Sequence, residues 1–350
     1  MPSKSARKKS GWKDVQFKHK IKRKTKLALI VLGAVLSLLI VSWTIRFTQN
    51  LFSPGKLSTD KPRSYTWNGE FNLNLLIRTN SVSLVSFIPK EERVVIINIP
   101  DETFLEVSRG FGRWQLRSIY ELGQSQKEVG GNKLLSETLT SIFGLPIDGF
   151  LDFSRLNGQQ SAASVIETLR KNPLSGFNLL SALKTDLTPW ELFKFKLKLS
   201  SVRFDKVKIL DLNKLNVLDK GNLLDGTPVF TPDPVKIDSI LSDLADPVIV
   251  SEHKSIAVFN ATGEPQLAQK WARLITNLGG NVIITTNAKK SLEKTQVAGD
   301  GSLTLKRLKE IFDLDCQNNP KCGKISLEDE DLVSSRAQIN LFLGKDYLDR

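Results

Sequence analysis

Cysteine and histidine are scarce in this chain of 350 residues, which contains two of each. Cys316, Cys322, His19 and His253 cannot supply an ordinary zinc site, so we predict no metal centre. The two cysteines flank the turn-forming sequence Gln-Asn-Asn-Pro-Lys. This sequence can bring their Cα atoms within bridging distance, so we expect a local disulfide in an oxidising compartment. Two free thiols are the alternative.

The chain also lacks the motifs of several enzyme classes. It contains no Gly-x-Ser-x-Gly sequence, no glycine-rich phosphate loop and no histidine positioned to serve a nucleophile. The sequence Gly-Phe-Gly at 110–112 is too short to cradle a phosphate. The acidic run at 328–331 lacks the spacing of a calcium-binding EF-hand, and we interpret it as a solvated loop.

Acidic residues are almost missing from the first 26 residues, which hold eleven lysines and arginines and one acid, Asp14. Nineteen residues without a charge follow, at 27–45. A helix needs about 20 apolar residues to cross a hydrocarbon core of about 30 Å, so we predict one transmembrane helix at 27–45. The basic tail at 1–26 is then cytoplasmic and the rest of the chain lies outside the plasma membrane. A cleaved signal peptide is the alternative, but the run is too long and no small-residue cleavage site follows it.

Most of the excess charge lies in that tail. The chain has a net charge of +13, whereas residues 27–350 hold 39 basic and 36 acidic residues. The tail is therefore an orientation signal that contacts the lipid bilayer, and we predict no nucleic-acid partner, since the tail has no readout element for bases.

The exported part is long enough for two folded α/β domains, which we place at 67–246 and 253–350 after a linker at 46–66. The first domain shows strands at 71–77, 82–88, 93–99, 146–153 and 206–212, and helices at 115–122, 134–143 and 235–244. A helix start is predicted at Thr188-Pro189-Trp190-Glu191, where a Thr cap precedes Pro and a Glu follows three residues after the cap.

The second domain begins with a strand–helix–strand pattern. Strands are predicted at 255–259 and 282–285, with a helix between them whose apolar face runs from Leu267 to Leu278. A helix at 303–312 and a strand at 337–343 complete a small α/β sandwich.

The second domain resembles the LytR C-terminal domain. The resemblance rests on ordered blocks at 256–263 (IAVFNATG), 267–268, 281–282, 287–288 and 339–346 (INLFLGKD). It implies a bacterial envelope protein with an N-terminal membrane anchor.

The first domain is similar to the LytR-CpsA-Psr catalytic domain, a mixed-sheet α/β fold. The similar blocks are 74–77 (NLLI), 78–86 (RTNSVSLVS), 99–103 (IPDET), 142–148 (IFGLPID) and 185–188 (TDLT). The resemblance implies transfer of glycan polymers from a polyprenyl pyrophosphate carrier to the cell wall, with carboxylates for magnesium and arginines for the pyrophosphate.

Several positions depart from that family pattern. Asn80 stands where the family has a metal-binding aspartate, and Asp101-Glu102 stands where the family has Arg-Asp. The family's earlier Gly-x-Asp block is missing, and the segment carrying its later arginines is shortened to about 155–171. Arg155 and Arg170 are the candidates left there.

We therefore take Arg78, Arg113, Arg117 and Arg155 as candidate anion-binding residues. The alternative is that they are solvated surface arginines. Asp101 and Glu102 could bind a cation or be solvated. We favour a binding or organising protein without a cofactor, whose partner is a cell-wall glycan, a lipid-linked pyrophosphate or an envelope protein. The alternative is an active phosphotransferase that uses magnesium.

Overall fold

The structure, a computed structural model, describes residues 32–46, 65–126, 129–154, 161–171, 183–223, 226–314 and 335–348. It divides into two compact units, residues 1–53 and residues 54–350. In the first unit, residues 32–46 are helical and their side chains are exposed. Within the described part of the chain, no helix has the length and apolar content to cross a bilayer. The anchor at 27–45 includes residues outside that part and stays a prediction.

The second unit is built on a mixed six-stranded sheet with the strand order β7-β6-β1-β2-β3-β8. Strands β6, β1, β3 and β8 are parallel to one another, whereas β2 and β7 are antiparallel to them. The strands are β1 (Leu73–Arg78), β2 (Val82–Ile88), β3 (Arg93–Asn98), β6 (Gly149–Asp152), β7 (Lys184–Thr185) and β8 (Val207–Asp211).

Alternating side chains cover both faces of this sheet with apolar groups. In β1, Leu73, Leu75 and Ile77 point into one core, whereas Leu76 points into the other. A strand buried on both faces reads as a continuous apolar run, which is why β1, β2 and β3 were visible in the sequence. The predicted strands at 82–88 and 93–99 form an antiparallel hairpin, in which β2 and β3 are joined by a 3₁₀ turn at Pro89–Glu91.

Four helices flank the large sheet. They are α1 (Leu116–Ser125), α2 (Gly131–Phe143), α3 (Ala162–Lys171) and α4 (Pro189–Ser200). Helix α4 begins with the predicted capping box: Thr188 Oγ1 accepts from the N–H of Glu191, and the Glu191 carboxylate accepts from the N–H of Thr188. Helix α2 ends at Gly144, whose φ of 57° is the left-handed conformation that glycine adopts readily.

Two small hairpins and two short helices complete this part. The hairpins are β4 (Phe104–Val107) with β5 (Gly112–Gln115), and β9 (Leu218–Asn222) with β10 (Pro228–Pro232). The helices are α5 (Pro234–Leu241) and α6 (Pro247–Glu252). Asp246 is the N-cap of α6, accepts from the N–H of Val248, and is fully buried.

The C-terminal part is a second sheet with the order β12-β11-β14-β13. Its strands are β11 (Ser255–Asn260), β12 (Asn281–Asn287), β13 (Gln296–Gly299) and β14 (Ile339–Leu343). Its helices are α7 (Leu267–Asn277) and α8 (Leu303–Ile311). The strand–helix–strand unit β11-α7-β12 is parallel, as predicted.

One apolar core extends from the large sheet into the C-terminal sheet. The same cluster of buried residues contains Leu76 of β1, Leu135 of α2 and Ile256 of β11. Helix α7 also closes the end of α2, because Arg273 donates to the carbonyl of Ile142 at 3.0 Å and Asn277 to that of Phe143 at 3.2 Å. The domain limits at 67–246 and 253–350 stay predictions, and the two parts share this core.

Candidate functional site

The carboxyl ends of the parallel strands bring polar side chains together at one edge of the large sheet. Strands β1 and β6 are parallel neighbours, and their last residues, Arg78 and Asp152, lie side by side in the register. The guanidinium of Arg78 donates to Asp152 Oδ2 at 3.1 Å. The edge of the sheet therefore holds an ion pair whose carboxylate is buried, with an exposed fraction of 2%.

Three further groups surround Arg78. The ring of Tyr120 in α1 stacks under the guanidinium at 3.6 Å. The Glu121 carboxylate lies 3.6 Å from the guanidinium, and Ser154 Oγ accepts from it at 3.4 Å. Asp152 is itself fixed, since its Oδ1 accepts from the N–H of Ser154 at 2.9 Å. Arg78 is thus held on several sides by protein groups.

Asn80 lies near Arg78 in sequence, in the turn between β1 and β2. Its side chain is exposed, and the turn is closed by the N–H of Thr79, which donates to the carbonyl of Ser81 at 3.0 Å. An amide at this exposed position can exchange hydrogen bonds but carries no charge for a cation.

Asp101 and Glu102 follow β3 in a turn against the start of α1. The N–H of Arg117 donates to the carbonyl of Asp101 at 3.4 Å. Burial and the neighbouring Glu102 raise the pKa of Asp101, and Arg117 lowers it by a smaller amount. Asp101 is half-buried and Glu102 is exposed.

Two other candidate arginines, Arg113 and Arg170, have partners away from this edge. Arg113 is in β5 and donates to Thr231 Oγ1 of β10 at 3.2 Å. Arg170 is paired with Glu167, one turn earlier in α3, at 3.0 Å. Arg155 lies outside the described residues. The anion-binding assignment of Arg78, Arg113, Arg117 and Arg155 therefore stays a prediction.

The charges at this edge are mixed. Arg117 and Glu121 are four residues apart on α1 and thus share a helix face with the ring that stacks on Arg78. This edge holds more carboxylates than guanidinium groups. The carboxylates are those of Asp101, Glu121 and Asp152, and the guanidinium groups are those of Arg78 and Arg117. An incoming polyanion would have to compete with these carboxylates for Arg78.

A cavity of about 380 Å³ lies where α2 and the loop before β6 meet α7 and α8. Its wall includes Asn132, Ser136, Trp271 and Glu310. Asn132 Oδ1 and Trp271 Nε1 are buried and have no hydrogen-bond partner among the described residues. The wall therefore combines an aromatic surface with unsatisfied polar atoms, which suits a polar organic ligand.

Two ionisable groups in the cavity wall have shifted pKa values. Burial raises the pKa of Glu310 to about 6, although Arg307 and Lys306 oppose the shift. Burial lowers the pKa of Lys270, and Glu137 opposes that shift. Perturbed groups in a concave site are candidates for ligand contact.

Sequence reasoning missed Tyr120, Glu121 and Asp152. The signal available was topological, because Asp152 ends a predicted strand that could be parallel to β1, which places it beside Arg78. Across the described residues, no group of three or more His, Cys, Asp or Glu side chains could hold a metal ion. Cys316 and Cys322 lie outside the described residues, so their disulfide stays a prediction.

The fold and the site define an α/β protein with a mixed sheet, a charged carboxyl edge and a smaller α/β part packed onto it. Residues 254–347 match the family described as LytR cell envelope-related transcriptional attenuator. This match confirms the resemblance of the C-terminal part to the LytR C-terminal domain.

Solved structures with likeness to the chain were also found. Bacillus subtilis TagT is 15% identical, with a TM-score of 0.37, and the match covers 55% of this chain and 96% of TagT. The LytR-CPS2A-psr family protein YwtF (TagT) with bound octaprenyl pyrophosphate lipid is 16% identical, with a TM-score of 0.36 and coverage of 55% and 97%. Bacillus subtilis TagV is 13% identical, with a TM-score of 0.36 and coverage of 50% and 96%. Likenesses at this level carry no inference about function. A comparison with curated proteins found no match.

Proposed function

We propose that this chain is a single-pass cell-envelope protein that binds cell-wall polymer or an envelope partner and does not catalyse phosphotransfer. Its basic tail is cytoplasmic, residues 27–45 anchor it in the plasma membrane, and the unit at 54–350 lies outside. The LytR C-terminal domain supports a place in the cell envelope. The proposal that the protein does not catalyse phosphotransfer rests on the partners of the Arg78 side chain.

The guanidinium of Arg78 already has anionic partners in the protein. Asp152 and Glu121 lie 3.1 and 3.6 Å from it. Phosphotransfer requires preorganised cations aimed at the charge that develops on the phosphate oxygens. At this edge the preorganised partners of the guanidinium are carboxylates, which repel that charge. A bound pyrophosphate would also leave the buried Asp152 without its cation, which is costly.

Binding is supported by the cavity between α2 and α7. It is large enough for one sugar-sized group and is lined by aromatic and hydroxyl-bearing side chains. The residues that line it come from both the large-sheet part and the LytR C-terminal domain, so the ligand would contact both.

The catalytic question is tested with the full chain purified in detergent and supplied with magnesium and a polyprenyl-pyrophosphate-linked glycan. We expect no transfer above the buffer rate. Transfer that Arg78→Ala abolishes would overturn the proposal and establish a phosphotransferase.

A second measurement tests whether the Glu121 carboxylate weakens pyrophosphate binding at Arg78. Glu121→Gln removes an exposed carboxylate beside Arg78, so pyrophosphate binding should strengthen by about threefold to tenfold, as expected for loss of one like charge near the ligand. Glu91→Gln is the matched control, because Glu91 pairs with Arg93 at 2.9 Å on another part of the surface. Equal effects of the two substitutions would contradict the role of Glu121.

The binding function is tested by co-sedimentation of the protein with isolated cell wall. Ser136→Trp fills the cavity, and we expect it to reduce retention by about tenfold or more. Ser239→Trp places the same bulk on the exposed surface of α5 and should leave retention unchanged. Retention that is unaffected by Ser136→Trp would place the polymer outside the cavity.

A further inference from the structure

Helix α4 presents two different faces. Its inner face packs Phe195 and Leu199 into the core on one side of the large sheet. Its outer face carries Trp190, Phe193 and Leu197, whose exposed fractions are 37%, 55% and 57%. On a helix with about 3.6 residues per turn, these three positions fall within about 60° of one another, opposite the inner face.

The exposed apolar side chains are accompanied by cations. Lys194 and Lys198 lie on one flank of the outer stripe, and the Lys194 ammonium lies 5.4 Å from the Trp190 ring. The rings of Trp190 and Phe193 are stacked at 5.6 Å. We call these five residues, Trp190, Phe193, Lys194, Leu197 and Lys198, the α4 outer face. The one acid of the helix, Glu191, is buried and occupied with the helix cap.

The first turn of α4 also lies where the chain enters the folded unit. The N–H of Trp67 donates to the Glu191 carboxylate at 2.6 Å, which ties the start of the chain in this unit to the first turn of α4. The sequence leaves 19 residues between the end of the predicted span at 45 and Tyr65. A segment of that length reaches about 65 Å at most, so the tether sets an upper limit on the distance between this end of the unit and the bilayer.

We propose that the α4 outer face docks on the surface of an anionic lipid bilayer. Exposed Trp, Phe and Leu side chains flanked by lysines are the composition that inserts into the headgroup region, with the rings at the acyl boundary and the ammonium groups at the phosphates. Docking would hold the carboxyl edge and the cavity at a fixed distance from the membrane. The inference rests on the proposed membrane tether for its location.

The experiment separates docking from the tether. Residues 54–350 form a compact unit of their own, so this part can be tested without the predicted anchor. Its flotation is measured with phosphatidylcholine vesicles and with vesicles in which phosphatidylglycerol replaces part of that lipid. We expect binding to the anionic vesicles that weakens as salt rises, and weaker binding to the zwitterionic ones.

Two variants test the two parts of the surface. Phe193→Ser with Leu197→Ser should reduce binding to anionic vesicles by about tenfold or more, because the inserted apolar area is lost. Lys194→Glu with Lys198→Glu should remove the preference for anionic lipid. The controls are Val235→Ser, which removes another exposed apolar side chain, and Lys220→Glu on β9.

Failure of this unit to float with anionic vesicles would overturn the docking proposal, as would equal binding by the Phe193→Ser/Leu197→Ser variant. Capture of a protein instead of lipid by this face would do the same. A failed topology or transfer experiment would leave the flotation result intact, because flotation uses neither the anchor nor a glycan.

Discussion

The guanidinium of Arg307 lies 2.8 Å from Oδ1 of Asp148, and both side chains are buried although 159 positions separate them in the sequence. Arg307 belongs to α8 in the LytR C-terminal domain, and Asp148 precedes β6 of the large sheet. Burial opposes the charge on Arg307, but Asp148 raises the pKa of Arg307 above its ordinary value. Tyr65 also donates its hydroxyl to Asp148. This ion pair joins the two parts of the molecule.

Removal of Arg307 should be strongly destabilising. Arg307→Ala leaves Asp148 buried without its cation, so we expect a loss of about 3–5 kcal/mol in the free energy of unfolding, measured by urea denaturation. Lys208→Ala is the control, since Lys208 and Asp243 form an exposed pair at 2.7 Å and its loss should cost about 0.5 kcal/mol or less. Similar losses in the free energy of unfolding for the two substitutions would show that the Arg307 ion pair does not contribute more to stability than an exposed pair.

Glu310 should make stability depend on pH. Its pKa is about 6 in the folded protein and near the ordinary 4.5 when unfolded, so the folded state binds more protons between these values. The contribution of Glu310 to stability is therefore largest below about pH 4.5 and is lost as the pH rises through about 6. Glu310→Gln should raise the Tm relative to the parent progressively more from pH 5 to pH 7. A pH-independent difference between the two proteins would contradict the shifted pKa.

The cap of α4 should be more important than an ordinary helix cap. Thr188→Ala removes one capping bond and should cost about 1 kcal/mol. Glu191→Ala should cost about 2–4 kcal/mol, because it leaves the N–H groups of Thr188 and Trp67 unsatisfied in a buried site. Ser302→Ala, at the cap of α8, provides a comparison of about 1 kcal/mol. Denaturant unfolding of the three variants measures these losses in stability. Equal losses for Thr188→Ala and Glu191→Ala would refute the prediction.

Protease added outside intact cells should remove the unit at 54–350 and spare residues 1–26, because the basic tail orients the anchor. Immunoblotting of tags at the two ends measures the outcome. Protection of a tag after Arg350 in intact cells, with digestion after lysis, would reject the proposed topology.

Exported protein should contain a bridge between Cys316 and Cys322. Its intact mass should be two hydrogens below that of the reduced form, and alkylation should require a reductant. Complete alkylation without a reductant would show that both thiols are free.

Most regular elements of the fold could be predicted from the sequence because their signals are local. The apolar runs of β1 to β3, the amphipathic spacing of α7 and the cap at Thr188 each specify an element without knowledge of its neighbours. The short strands β4, β5, β9 and β10 were missed, because segments of four or five residues, of which β5, β9 and β10 contain glycine or proline, give little periodic signal. Asp246, where the sequence predicts that the first domain ends, is the buried cap of α6 and accepts from the N–H of Asn72 at 2.8 Å.

Only part of the candidate site could be predicted from the sequence. The sequence pointed to Arg78 as a residue at a strand end, but the ion pair with Asp152 depends on the pairing of β1 with β6, which are 70 residues apart in the chain. The stacking of Tyr120 depends on how α1 packs across that edge. The partners that neutralise an arginine are set by tertiary contacts, so residue type alone overstated its availability to an anion.

The core shared by β1 and β11 also bears on how such a protein can change during evolution. A division of the chain near His253 would split this shared core, which contains Leu135 and Ile237 before that point and Trp271 and Leu308 after it. Newly uncovered apolar surfaces of this kind promote aggregation. We therefore expect that exchange of the C-terminal part would require compatible changes in the core residues that the two parts share.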